Sequence, residues 1–279
     1  MTLTLSEPAP AKVNLCLHVT GRRDDGYHLL DSLVAFPRIG DLVEAERSRT
    51  LSLSVRGPFG HELSVSGDNS VLAAAEALRP AGTGAALRLT KRLPVASGIG
   101  GGSADAAATL RLLSRMWGVP QLGDAAVLGL GADVPVCLAG RSCRMTGIGE
   151  RLATVGLPPF WLVLVNPGQK VSTASVFDRL AAVDNAGLPE TDGFSRVEDL
   201  IGYLRIQRND LEAPAVEAAP VIADVLSALR SRAGCGLARM SGSGATCFGM
   251  FATEAEATAA AEALRRSGPA WWIAVAPVP

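Results

Sequence analysis

Lysine is the residue this 279-residue chain avoids. Three of its 26 basic side chains are lysines (Lys12, Lys91 and Lys170) and the rest are arginines. Where positive charge alone is wanted, arginine serves. A surviving lysine marks either a solvated surface position or a place that needs a compact ammonium instead of a planar fork. Histidine is equally scarce, with three residues, which excludes a His-rich metal centre. The five cysteines, Cys16, Cys137, Cys143, Cys235 and Cys247, form no CxxC pair. That excludes a zinc site or disulfide framework and leads us to expect reduced thiols in a cytoplasmic protein. A net charge of −1 excludes the basic footprint of a nucleic-acid or anionic-membrane binder. No apolar run reaches the ~18 residues of a membrane span, and no charged-then-apolar leader opens the sequence. What is abundant is apolar: 48% of the residues are hydrophobic, enough for one large or two modest domains.

The segment KVNLCLHVT (Lys12–Thr20) alternates, with Val13, Leu15, Leu17 and Val19 on one face and Lys12, Asn14, Cys16 and His18 on the other. Period two predicts a half-buried strand with a polar outer face. GRRDDG (21–26) follows as a turn, and YHLLDSLVAF, DLVEAE and TLSLSV read as further strands. DNSVLAAAEALRP (68–80) reads as a helix capped by Asp or Asn, and GAALRLTKRLP (84–94) as a strand. Beyond a glycine-rich loop, Ala106, Leu110, Leu113 and Trp117 recur at helical spacing, predicting an amphipathic helix of about three to four turns with Ser103 as its N-cap and Asp105 in its first turn. GADVPVCLAG (131–140) places Asp133 before Pro135, the start of a short helix. A soft boundary near 153–159 precedes the apolar run FWLVLVNPG (160–168). Helices are expected around 172–182, 197–204 and 217–232, then strand–loop–strand over 237–251, a helix in TEAEATAAAEALRRSG and a closing strand WWIAVAPV.

Two stretches carry chemistry. In LPVASGIGGGSADAAATLRLL (93–113) a strand runs through GIGGGS into a helix. Glycines let backbone N–H groups approach an anion, and a helix N-terminus adds donors and a positive dipole end. An ordinary strand–helix connection would need one glycine, not four. The loop is not a GxxxxGK[ST] P-loop, because no lysine follows the glycines. It fails GxGxxG, because Ser103 stands at the last glycine, and the HRD and DFG signatures of protein kinases occur nowhere. The second stretch, SGSGAT (241–246), is either a tight turn or the other half of a ligand grip. Asp133 is either a helix cap or a general base. Lys12 is either a solvated edge lysine or an ammonium that favours an ionised carboxylate and contacts a transferred phosphate.

The ordered set PAKVNLCLHVTGRRDDGYH, LPVASGIGGGSADAAA, GADVP and MSGSGAT resembles the GHMP small-molecule kinases, the superfamily of galactokinase, homoserine kinase and mevalonate kinase. PAKVNL…GYH, NPG…ST…VF (166–177) and NDLE (209–212) look like its branch acting on a cytidyl diphosphate sugar alcohol of the non-mevalonate isoprenoid pathway, over roughly residues 8 to 279. The resemblance implies an α/β (α+β) fold of two domains. A ribosomal-S5-like ATP-binding domain would span 1–155, with the closing strand 271–279 joining it, and a ferredoxin-like substrate-side domain would span 156–270. It implies transfer of the ATP γ-phosphate to the substrate's 2-hydroxyl with Mg²⁺. In the family pattern Asp133 matches the catalytic base and Lys12 its partner. Gly98, Gly100, Gly101, Gly102 and Ser103 match the triphosphate loop, and Asn69, Lys91 and Pro94 the rest of the nucleotide site. Asn14, Tyr27, His28 and Thr173 match positions holding the cytidyl and erythritol parts, with Gly242, Ser243 and Gly244 closing over that side. Ser103 is the candidate metal ligand. A small-molecule substrate is implied, with no nucleic acid or membrane partner, in a monomer or weak homodimer. The rival readings are a homoserine- or mevalonate-type kinase and a non-catalytic nucleotide-binding module. The sequence departs from the family at Ala104, where a second serine is usual, at Ile99 for leucine, and at Val136 and Cys137, where aromatics are common.

Overall fold

The computed structural model describes residues 4–268 and 270–279. The chain divides into two units that interleave along the sequence. The first comprises residues 1–11, 39–95 and 100–140, and the second 12–38, 96–99 and 141–279. Besides the soft boundary expected near residue 155, the division of these units crosses the sequence at several points, one of them inside the glycine-rich loop.

The first unit holds a four-stranded sheet in the order β1 (Leu5–Pro10), β4 (Gly40–Ser48), β6 (Gly84–Thr90), β5 (Ser52–Arg56), antiparallel except for the β5–β6 pair. Helices α1 (Ser70–Leu78), α2 (Gly101–Trp117), α3 (Asp124–Gly129) and α4 (Val134–Ala139) complete it. The amphipathic segment expected after the glycines is α2, but it is longer, at 17 residues, and buried nearly all round. It packs on β1 and β4 and also on α1 and α4, so Leu110, Leu112 and Leu113 are wholly enclosed. Each such side chain stabilises the unit by about 1.5–3 kcal/mol. Gly118, left-handed at φ 70°, ends the helix.

The second unit holds two sheets. One runs β2 (Val13–Arg22), β3 (His28–Ala35), β7 (Cys143–Gly147), β8 (Arg151–Thr154). The other runs β10 (Leu237–Met240), β11 (Cys247–Phe251), β9 (Phe160–Asn166), β12 (Trp272–Val278), and every pair is antiparallel. The closing strand β12 thus pairs with β9 in this unit. Helices α5 (Thr173–Phe177), α6 (Val197–Arg205), α7 (Glu212–Ala218), α8 (Val221–Arg230) and α9 (Glu254–Ser267) surround the sheets. The helix expected over 217–232 is two helices, because Pro220 has no N–H to continue the first and becomes the N-cap of the second. The one expected over 172–182 stops at Phe177.

β2 differs from its expected half-buried pattern. Residues Val13–Val19 are buried on both faces, including Asn14 and His18. Its polar face is not solvated because each polar side chain finds a partner inside the unit. His18 Nδ1 donates to Ala186 O at 3.0 Å, and its Nε2 accepts from the Arg208 N–H. No helix among the described residues is long and apolar enough to cross a membrane.

Candidate active site

Helix α2 starts earlier than the serine signal predicts. Gly100 is its N-cap at φ 65°, and the Ala104 N–H donates to Gly100 O at 2.8 Å. Ser103 is therefore a first-turn residue and not the cap, and the N–H groups of Gly101, Gly102 and Ser103 precede the helical ladder. Positive dipole and unsatisfied donors coincide there, as anion binding requires. Ala104, where a second hydroxyl was missed, faces the interior at 1% exposure. A serine at that position would be turned into the packing.

The glycines of the loop answer to different demands. A Cβ on Gly98 would stand 2.5 Å from Ser241 O and 2.7 Å from both Gly244 N and O, and one on Gly242 would stand 2.7 Å from Gly98 O. Ser241 Oγ donates to Gly98 O, the Thr246 N–H to Ser97 O, and the Lys12 N–H to Ile99 O. GIGGGS and SGSGAT thus interlock backbone to backbone, and Gly98 and Gly242 are glycines for that reason. Gly102 is different. It is exposed, and its Cβ would meet only Ser70 Oγ, at 3.7 Å. Packing does not demand the glycine there.

Beneath α2 lies an ion cluster. Lys91 Nζ donates to Asp41 Oδ2 and Asp105 Oδ2, each at 2.6 Å, and all three side chains are at most 2% exposed. Asp41 Oδ1 accepts from the N–H groups of Arg92 and Leu93. β4, the segment entering the loop and the first turns of α2 are thereby tied at one point. Burial pulls the Lys91 ammonium down, but the two carboxylates outweigh it and hold its pKa above the ordinary value. Burial pushes the Asp105 carboxyl up to about 8, against the pull of Lys91. The ammonium expected in the adenine site is thus engaged with Asp41 and Asp105 inside the unit. Asn69 is likewise committed, since its Oδ1 caps α1 by accepting from the Val71 N–H while its Nδ2 donates to Ser64 O. Pro94 is buried beside the cluster segment.

In the second unit, Lys12 Nζ donates to Asn14 Oδ1 at 2.9 Å, and Asn14 Nδ2 donates to Ser32 Oγ at 2.7 Å. The Asn14 N–H donates to Ser241 Oγ, so the third motif also braces this strand. Asn14 has no exposed surface, and both ends of its amide are engaged. It links Lys12 to Ser32 and Ser241.

Asp133 begins α4 as its backbone N-cap, yet its side chain makes no capping hydrogen bond. The bland role of a cap is therefore not what the carboxylate does. Val136 and Cys137 behind it are fully enclosed, so the missing aromatics leave no exposed gap. Gly131 of the same turn would bring a Cβ to 3.8 Å from Ser103 Oγ, which sets the Asp133 turn beside the first turn of α2.

Around the remaining site residues, His28 stacks on Phe177 with ring centroids 4.6 Å apart at 22°, and Tyr27 is 55% exposed. Burial lowers the His28 pKa, so the ring is neutral near pH 7. Thr173 Oγ1 and Ser243 Oγ are hydrogen-bonded at 2.8 Å. Sequence reasoning missed Phe177, Ser241, Ser32 and the acidic pair Asp41 and Asp105. Asp105 was visible as a charge inside an alanine-rich helix, which was the available signal. Ser32 and Asp41 look like ordinary strand residues.

The family follows from comparison with known proteins. Residues 69–145 match the GHMP kinases N terminal domain, and residues 194–270 match the GHMP kinases C terminal model. The chain belongs to the GHMP kinases, and it is a small-molecule kinase. Within them it is 58% identical over 271 residues to the 4-diphosphocytidyl-2-C-methyl-D-erythritol kinase of Cereibacter sphaeroides, covering 96% of this chain and 97% of that protein. A crystal structure of 4-(cytidine 5'-diphospho)-2C-methyl-D-erythritol kinase matches with a TM-score of 0.77 at 35% identity, covering 98% of this chain and 99% of that one. The mevalonate kinase of L. major, solved with R-mevalonate, shares the fold at a TM-score of 0.65 and 17% identity, over 99% of this chain and 96% of its own.

Proposed function

We propose that the protein transfers the γ-phosphate of ATP to the 2-hydroxyl of 4-diphosphocytidyl-2-C-methyl-D-erythritol, in the cytoplasm. The observation that carries this reading is the near full-length 58% identity to a kinase of that name, joined to an α2 N-terminus open at Gly102. Phosphoryl transfer passes through a loose transition state with charge spread over the transferring oxygens, so positioning and electrostatics supply the catalysis. The first-turn N–H groups of Gly101, Gly102 and Ser103 hold the triphosphate. Asp133 accepts the proton of the attacking hydroxyl. Lys12 lends positive charge to the transferred group. The stacked His28 and Phe177, with Tyr27, offer aromatic faces for a cytosine, and Thr173 with Ser243 offers hydroxyls to the sugar alcohol.

Mg²⁺ is the expected companion of the nucleotide, and it neutralises phosphate charge when bound. Among the described residues no group of three or more His, Cys, Asp or Glu side chains could hold a metal. Mg²⁺ commonly binds through one or two protein oxygens plus substrate phosphates, and Ser103 Oγ fits that requirement.

The test is an assay of the purified protein with ATP, Mg²⁺ and a panel of alcohols. ATP should be consumed with 4-diphosphocytidyl-2-C-methyl-D-erythritol alone. Equal turnover of mevalonate or homoserine would replace the substrate, and no turnover of any would favour a binding module. Asp133→Asn should lose most turnover, at least about a hundredfold, while nucleotide affinity by calorimetry stays within a few-fold. Activity near wild type would remove Asp133 from its role.

A further inference from the structure

The hydrogen-bond chain from Lys12 does not end at Asn14. Ser32, on β3, accepts from Asn14 Nδ2 at 2.7 Å and donates its own proton to Cys16 O at 2.6 Å. Asn14 and Ser32 have no exposed surface and Lys12 only 3%, so water does not substitute for any link. β2 and β3 pair with a register shift between Asn14 and Cys16 that skips Leu15. The bulge frees Leu15 O, which accepts from Arg239 Nη1. Bulges of this kind re-aim side chains, and this one sets Asn14 and Ser32 in contact although Ser32 pairs with Leu17.

The chemistry of the chain allows one polarity. An ammonium only donates, so the Asn14 amide must turn its oxygen to Lys12 and its NH₂ away. The group receiving that NH₂ must then accept. A serine hydroxyl can accept or donate, and it would favour neither amide orientation unless its single proton were already spent. The Cys16 carbonyl spends it. The direction of the whole chain is thus set at a backbone oxygen and handed through Ser32 to Asn14 and on to Lys12.

We propose that Ser32 is a positioning residue for phosphoryl transfer: it fixes the Asn14 amide in the orientation that aims the Lys12 ammonium. This rests on the reading that Lys12 acts in the reaction. Removing the hydroxyl leaves a buried NH₂ unsatisfied and the amide free to turn, so the Asn14 share in directing Lys12 is lost while the first turn of α2 is untouched.

Two readouts test it separately from the assignment of function. In kinetics, Ser32→Ala should lower kcat about tenfold with KM for ATP within twofold, and Ser32→Thr, which keeps the hydroxyl, should restore most of it. The second readout needs no activity. With three lysines in the chain, selective ¹³Cε/¹⁵Nζ-lysine labelling gives three side-chain NMR signals, and Lys12→Arg identifies one of them. Ser32→Ala should move the Lys12 signal, leave those of Lys91 and Lys170 in place, and be reversed by Ser32→Thr. If Ser32→Ala does not fold, Ser32→Cys, close in size and weak in hydrogen bonding, should show the same shift. An unmoved Lys12 signal overturns the proposal, as does a kcat within twofold of an active wild type, or a threonine variant as impaired as the alanine one. An inactive wild type with a shifted Lys12 signal would count against the function and leave the positioning role standing.

Discussion

Lys91 and Lys12 are both shut away from solvent, at 2% and 3% exposure, yet their hydrogen-bond surroundings differ. Two carboxylates grip Lys91 at 2.6 Å each, while a neutral amide holds Lys12 at 2.9 Å. The carboxylates cancel the charge and tie three pieces of backbone together. The Asn14 amide gives Lys12 a neutral hydrogen-bond partner. The two lysines sit in different hydrogen-bond networks, and a residue count cannot tell them apart.

The comparison can be broken most sharply by methionine at each lysine. Lys91→Met leaves Asp41 and Asp105 buried with no cation between them and should cost about 3–5 kcal/mol of stability, read by urea denaturation. Lys12→Met should cost less stability than that, but lower turnover by roughly 10²–10³. If the two variants lost stability equally, the distinction between the lysines would fail.

A second pair of variants sharpens the difference between glycines held by packing and glycines left open. Gly98→Ala puts a methyl against Ser241 O, at a φ of 75°, and should destabilise by about 1–3 kcal/mol. Gly102→Ala meets nothing closer than Ser70 Oγ and improves helix propensity, so thermal stability should hold or rise slightly. Its effect should appear in ATP affinity instead, measured by calorimetry. Unchanged affinity would remove the ligand from the reasons for that glycine.

The smallest effect concerns His18. Burial lowers its pKa below the ordinary 6.5, and its Nε2 accepts from the Arg208 N–H, so the folded protein holds it neutral. The unfolded chain binds the proton more readily, so the stabilisation is present above pH 6.5 and is lost as pH falls below it. The midpoint of urea unfolding should decline on acidification from pH 7 to 5.5. Much of that slope should vanish in His18→Gln, and a slope identical to wild type would assign it to other groups.

The elements of this fold were legible wherever periodicity or punctuation is local: the strand over 13–19, the helix after the glycines and the short helix opening at Asp133 all stand where their patterns put them. What failed needed knowledge of neighbours. Ser103 carried a cap signal, but Gly100 could take the left-handed φ and start the helix sooner. The polar face of β2 read as solvated, because nothing in Lys12–His18 announces that Ser32, Ser241 and the 186 and 208 segments will cover it. The glycine-rich loop read as one device. Its partner at 241–246 lies more than a hundred residues away, so the interlock that claims Gly98 was invisible.

The pairing of β12 with β9 also has a consequence for synthesis on the ribosome. The Arg38 N–H, just past the β2–β3 hairpin, donates to Pro277 O in the last strand, and β9 lacks one neighbour until β12 exists. The first unit has all of its residues once position 140 has been translated. The hairpin bearing Lys12, made almost at the start, waits on the order of ten seconds for the rest of its own unit at about 5–20 residues per second. The helices of the first unit can therefore be shaped early, while the hairpin that follows Lys12 is among the first parts made and the last to be finished.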